Sequence, residues 1–253
     1  MKKLILPKEN IHRGNLVLVN REHALKVSRE KGVSLARVES VYARILLEIR
    51  TATMLSALIE MLSAKGRIIP ISGYRSRKEQ ERIYVDSLAE NGKAYTEKYV
   101  AQPDCSEHQT GLAIDVAQKG DNIDFICPDF PNSGICHKFR RYAAQFGFVE
   151  RYMESKEEIT GIGYEPWHFR YVGYPHSTIM EREGMVLEEY VDFVRQFDAR
   201  APLNVMRADS HFDIFYVPAE AEETILELPD GLPYQLSGNN VDGFIVTLWR
   251  QTA

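Results

Sequence analysis

Three side chains able to grip a metal ion, His108, Asp115 and His168, stand in two short motifs far apart in the chain: S-E-H-Q-T-G-L-A-I-D at 106–115 and E-P-W-H-F-R at 165–170. Any fold that uses all three has to bring those distant stretches of polypeptide together. Two imidazoles and one carboxylate fill three corners of a tetrahedron and leave the fourth for water, the arrangement a hydrolytic zinc ion needs. Glu165, three residues before the second histidine, is spaced to serve as general base toward that water. Taken alone, a histidine and an aspartate seven apart is a weak pattern. A Glu-x-x-His in a distant aromatic-rich segment strengthens it.

The apolar positions between 34 and 65, Val38, Val41, Ile45, Leu46, Ile49, Leu55, Leu58, Ile59 and Leu62, follow the spacing of an amphipathic helix, with Gly66 as its stop. The stretch 67–72 reads as a short strand, with Pro70 placing it at a sheet edge. Ser76 and Glu79 form a capping-box pattern, so a second helix is expected over about 77–90, before Asn91-Gly92. That leaves Arg75 in the turn between strand and helix. Residues 112–117 read as a buried strand carrying Asp115, with His108 on the loop entering it. A helix over 138–146 closed by Gly147 and a strand over 148–151 follow. Between 167 and 172 the aromatics Trp167, Phe169 and Tyr171 alternate with His168 and Arg170, so a strand would turn the aromatics, Trp167 included, to the core and His168 to a site. Gly111 and Ala113 are expected to matter by their smallness near the metal. Residues 187–197 are helical in pattern.

The texture changes at Ala201-Pro202, so 1–201 is read as the catalytic domain and 202–253 as a small β-rich module with strands near 211–217, 224–228 and 243–249. The module is acidic: two basic residues against eight acidic ones leave it at −6, in a chain whose net charge is −5. Neither part carries a long basic run, which speaks against a nucleic-acid groove or a polybasic membrane anchor. The opening M-K-K-L-I-L imitates an export signal, but 7–10 (P-K-E-N) end the apolar run too early, and a cytoplasmic location is expected. Three cysteines without a C-x-x-C pair fit a reducing compartment, and Cys105 is read as a bystander to the ligands. His12, His23, His137, His176 and His211 belong to no motif and are read as surface or capping residues.

Three motifs in order, S-G-Y-R-S at 72–76, S-x-H-x-x-G-x-A-x-D at 106–115 and E-x-W-H-F-R at 165–170, resemble the zinc D,D-peptidases of the vancomycin-resistance type, the VanX, VanY and VanXY group. The likeness extends over roughly 16–197. It implies an α+β fold with helices packed around a small antiparallel sheet that carries one Zn2+ held by His108, Asp115 and His168. Glu165 would be the catalytic base and Arg75 the cation beside the developing oxyanion. Ser106 would bind substrate, with Gln80 assisting. The implied substrates are D-Ala-D-Ala and UDP-linked muramyl pentapeptide, with the dual activity of a VanXY-like enzyme and a setting in vancomycin resistance. A peptidoglycan endopeptidase or lysin of the same zinc class, and a non-catalytic wall-peptide-binding zinc protein, are the alternatives.

Overall fold

The structure is a computed structural model and describes residues 1–26, 33–38, 45–207 and 210–251. Its chain divides into two compact units, one made of Met1–Leu18 with Leu187–Ala253 and the other of Val19–Val186. This differs from the division expected at 201/202, because strand β1 (Lys2–Pro7) belongs with the β-rich part. The apolar Leu4 to Leu6 run lies within this strand.

In the Val19–Val186 unit, β2 (Leu35–Arg37) pairs antiparallel with β3 (Leu46–Glu48), and helix α1 (Ile49–Met61) follows directly. The long helix expected from residue 34 therefore begins only at 49, and Val41 lies outside the described residues. The backbone of 46–48 is engaged elsewhere: Tyr74 N donates to Leu46 O and Glu48 N to Gly111 O, at 2.6 and 2.9 Å. Three-and-four apolar spacing cannot foresee that competition. Glu48 then caps α1 by accepting from Thr51 N. Ser63, at φ 48°, supplies the left-handed residue that ends the helix, ahead of Gly66.

Strand β4 (Ile68–Ser72) leads into α2 (Arg77–Tyr99), capped by Ser76 Oγ accepting from Glu79 N. The helix runs past the expected stop because Gly92, at φ 76°, kinks it and a second helical stretch follows. Next come β5 (Ala113–Gln118), α3 (Gly134–Ala143), β6 (Phe148–Tyr152), the single turn α4 (Glu157–Thr160), β7 (Glu165–Tyr171) and α5 (His176–Glu183). The four longer strands form one antiparallel sheet ordered β4-β5-β7-β6, with Pro70 on an edge strand as its missing donor requires. Phe139 of α3 is fully buried in edge-to-face contact with Phe130 and Phe169. His176 is buried at the start of α5, not at the surface.

The other unit contains α6 (Leu187–Val194), then β8 (Leu203–Arg207), β9 (Ser210–Pro218), β10 (Glu223–Leu228), β11 (Tyr234–Gly238) and β12 (Gly243–Gln251). Strands β11-β12-β9-β8 form an antiparallel sheet, and β10 pairs with β1 from Lys2↔Leu228 to Pro7↔Glu223. Leu6, Ile11, Phe215, Leu226, Phe244 and Val246 share its core. The whole is α+β, with a small-sheet β-rich C-terminal region.

Substituting Phe139→Ala is expected to cost about 3–5 kcal/mol, because the ring's volume is lost from a packed aromatic cluster. Val85→Ala on the exposed side of α2 should stay within about 0.5 kcal/mol of wild type. Urea unfolding of the two variants checks the contrast.

Candidate metal centre

The site is built where β5 and β7 lie side by side. Their register sets Asp115 opposite His168, and on its other side Asp115 faces Ser72 of β4. His108 comes from the short 3-10 turn Glu107–Thr110 just ahead of β5. Gly111 closes that turn at φ 73°, and a Cβ there would meet Glu48 N at 3.0 Å. Its role is thus backbone conformation against β3, not closeness to a metal.

His108, Asp115 and His168 are all buried, and one donor atom from each falls within 4.8 Å of the others. His108 Nε2 lies 3.2 Å from Asp115 Oδ2, and His168 Nδ1 3.0 Å from Asp115 Oδ1. Ligands on a tetrahedral zinc stand about 3.3 Å apart, so the donors are already near coordination spacing. The remaining ring nitrogens are occupied: His108 Nδ1 donates to Gly73 O at 2.7 Å, and His168 Nε2 lies 3.3 Å from Glu107 Oε2. Each ring therefore turns its other nitrogen, His108 Nε2 and His168 Nδ1, toward the Asp115 carboxylate, which is the geometry a histidine-bound ion requires. The residues fit a zinc ion.

Glu165 Oε2 sits 3.8 Å from His168 Nδ1. Glu165 reaches the centre because β7 is bulged: Glu150 pairs with Phe169, but Tyr152 pairs with Glu165. Pro166, which has no N–H to give the ladder, lies in the bulge, and Arg140 Nη2 donates to its carbonyl at 3.1 Å. The bulge also breaks the expected alternation. Trp167 is half-buried and lines the cavity, where the period-two pattern had assigned it to the core.

Arg75 stands in the turn after β4 and is held from three sides. Its Nε donates to Ser72 Oγ at 2.9 Å, Nη1 to Gln80 Oε1 at 3.4 Å and Nη2 to Asp115 Oδ2 at 3.1 Å. Gln80 in turn donates to Ala101 O. Ser106 is buried in the same wall. All seven expected site residues line one cavity of about 350 Å³, together with Tyr99, Tyr152 and Ile162. Cys105 is buried, burial pushes its thiol above the ordinary range, and it is not in the group formed by His108, Asp115 and His168.

Electrostatics follow from burying so many charges together. Burial opposes ionisation of Asp115, but His108 and His168 outweigh it and hold the carboxyl well below the usual range. Burial likewise disfavours a charged His168, yet hydrogen bonds to Asp115 and Glu107 raise it to about 9. His108, beside Arg75, is pushed down by burial. Glu165 is pushed up to about 8, by burial first and then by the Asp115 charge, with His168 opposing. Three further residues were silent in the sequence: Glu107, Arg151 and Arg170, a fully buried ion cluster directly behind His168. Only the alternation of Arg170 with aromatics in β7 hinted that a charge was turned inward.

The chain is similar to proteins of known activity. The VanY profile, D-alanyl-D-alanine carboxypeptidase, matches residues 44–174. The chain is 43% identical over 182 residues to the bifunctional D-Ala-D-Ala dipeptidase and D-Ala-D-Ala carboxypeptidase VanXYC of Enterococcus gallinarum, a match covering 72% of this chain and 95% of that protein. Against a D-alanyl-D-alanine carboxypeptidase of Enterococcus faecium it is 32% identical, covering 96% and 78%. The crystal structure of the vancomycin-resistance D,D-dipeptidase VanXYg with a D-Ala-D-Ala phosphinate analog aligns at a TM-score of 0.95 and 48% identity, covering 98% of this chain and 99% of that one. The D,D-pentapeptidase VanY from a VanB-type resistance cassette, a glutamate-to-alanine variant solved in complex with Zn(II), aligns at 0.55 and 33%, covering 70% and 98%. With over half its length matched by one profile, and that stretch holding every residue of the centre, this chain belongs to the VanY family of D-alanyl-D-alanine carboxypeptidases.

Proposed function

We propose that this chain is a zinc D,D-peptidase that removes C-terminal D-Ala from peptidoglycan precursors and hydrolyses free D-Ala-D-Ala, in the setting of vancomycin resistance. The observation that carries the reading is the convergence of His108, Asp115, His168 and Glu165 at the base of one cavity, with Arg75 beside them. Its support from relatives is the full-length likeness to VanXYg, solved with a D-Ala-D-Ala phosphinate analog. UDP-linked muramyl pentapeptide is the larger substrate in this reading. The cytoplasm is its location, which the three free cysteines fit. Among the described residues no helix is long and apolar enough to cross a membrane.

Zinc, when bound, supplies Lewis acidity and an acidified water near neutral pH. His108 Nε2, one Asp115 oxygen and His168 Nδ1 would hold it. Glu165 would take the proton from the attacking water and return it to the departing amine nitrogen. Its raised pKa suits both directions of that transfer, and a neighbouring dication would favour its charged form. Arg75 presents guanidinium N–H groups to the oxygen on which charge develops. Gln80, with both ends of its amide engaged, would hold Arg75 in place, and Ser106 would bind the substrate.

Four measurements test this reading. Glu165→Gln should retain zinc and lower kcat by about 10²–10⁴-fold on D-Ala-D-Ala and on pentapeptide; full turnover would remove Glu165 from the reaction. In the metal-stripped protein the folded pKa of Glu165 lies above its ordinary 4.5, so the stability it contributes is full below that value and fades as pH climbs through about 8. The amide cannot titrate, and the variant should therefore lose less thermal stability than wild type between pH 5 and 9.

Zinc should raise the Tm of stripped wild type, with about 4 kcal/mol of stabilisation at a thousandfold excess over Kd, and Asp115→Asn should abolish most of that gain. Because His168 must shed its proton to lend Nδ1, zinc affinity should strengthen by about tenfold per pH unit up to about pH 9. An affinity flat between pH 6 and 8 would exclude His168 as a ligand.

A further inference from the structure

Glu107 occupies an unassigned position of the S-x-H motif, yet its side chain has no exposure to solvent. One carboxylate oxygen, Oε1, accepts from Arg151 Nε and from Arg170 Nη1, each at 2.8 Å. Both arginines are themselves buried, at 1% and 0% exposure. The second oxygen, Oε2, lies 3.3 Å from His168 Nε2, while the opposite ring nitrogen Nδ1 is turned to Asp115 at 3.0 Å.

A ring that lends its Nδ1 lone pair to an ion must carry its proton on Nε2, and Glu107 Oε2 is the acceptor in front of that proton. The two histidines are braced differently. His108 leans on the neutral carbonyl of Gly73, whereas His168 leans on a charge. A bare carboxylate there would compete for the ring proton. Two guanidiniums on Oε1 draw its charge to the far side, leaving an acceptor that orients the ring without taking its proton. The cluster ties two neighbouring strands together, since Arg151 comes from β6 and Arg170 from β7.

We propose that Glu107 is the positioning residue for His168: clamped by Arg151 and Arg170, it fixes the ring as the Nε2–H tautomer and thereby sets the chain's affinity for zinc. This rests on the zinc reading above. It assigns a role to three buried charges that the proposed reaction steps leave unused.

The test uses the full chain, stripped of metal and titrated with zinc against a competing chelator. Glu107→Asp keeps the charge the arginines need and shortens its reach toward His168 by one methylene. Glu107→Gln keeps the reach and removes the charge. Each variant is expected to bind zinc about 10- to 100-fold more weakly than wild type, with the stripped Glu107→Asp protein melting near the stripped wild type. Unchanged zinc affinity in folded Glu107→Asp, with only the melting temperature lowered, would assign Glu107 a merely structural part and overturn the proposal. A second readout needs no variant: in zinc-loaded wild type labelled with ¹⁵N-histidine, the His168 proton should sit on Nε2, and a proton on Nδ1 would overturn it. Wild type that takes up no zinc sinks the zinc reading and this inference together, whereas zinc-binding wild type with unaffected Glu107→Asp sinks the inference alone.

Discussion

Everything in the catalytic unit depends on the antiparallel register of β5 against β7. That register sets Ala113 beside Arg170, Ile114 beside Phe169 and Asp115 beside His168. Because side chains alternate across a sheet, a slip of one residue would send His168 to the opposite face and Phe169 into the centre. The buried aromatic cluster of Phe130, Phe139 and Phe169 opposes such a slip, since Phe169 is anchored by both neighbours. Core packing on one side of β7 thus fixes the chemistry on the other. The bulge around Pro166 adds a local correction that the ladder alone could not supply, turning Glu165 toward the same centre.

The second constraint is charge. Asp115, Glu165, Glu107, His108, His168, Arg151 and Arg170 are all buried, and isolated burial of any one as an ion would be severely unfavourable. They persist because each faces a partner: Asp115 the two imidazoles and Arg75, and Glu107 the two arginines and His168. Glu165 is the least compensated of the carboxyls, which is why its pKa rises while those of Asp115 and Glu107 fall. A group that can exchange its proton near neutral pH, beside an ionised Asp115, suits hydrolysis at a metal. The same low-dielectric surroundings that make the cluster costly also strengthen every interaction within it.

Much of the centre was legible in the residues. The candidate ligands, Glu165 and Arg75 sit in motifs that are weak by spacing alone and point to metal chemistry through their resemblance to the zinc D,D-peptidases, and β4, β5 and β7 read as strands within a residue or two. What stayed hidden depends on distant partners. Residues 46–48 have helical spacing but are drawn into a strand by the backbone of Tyr74 and Gly111. Leu4 to Leu6 did not read as a strand because their partner β10 lies over two hundred residues away. Trp167 breaks its period because Pro166 bulges the strand. Glu107 gave no signal because its two arginines are scattered over β6 and β7, and a lone glutamate beside a histidine announces neither.

The most direct test of the account is an anomalous-diffraction experiment at the zinc absorption edge on crystals of the full chain grown with the metal. The account predicts one peak per chain, about 2.0–2.2 Å from His108 Nε2, His168 Nδ1 and an Asp115 oxygen. A zinc peak elsewhere, or one bound through His168 Nε2 with Glu107 displaced, would contradict it.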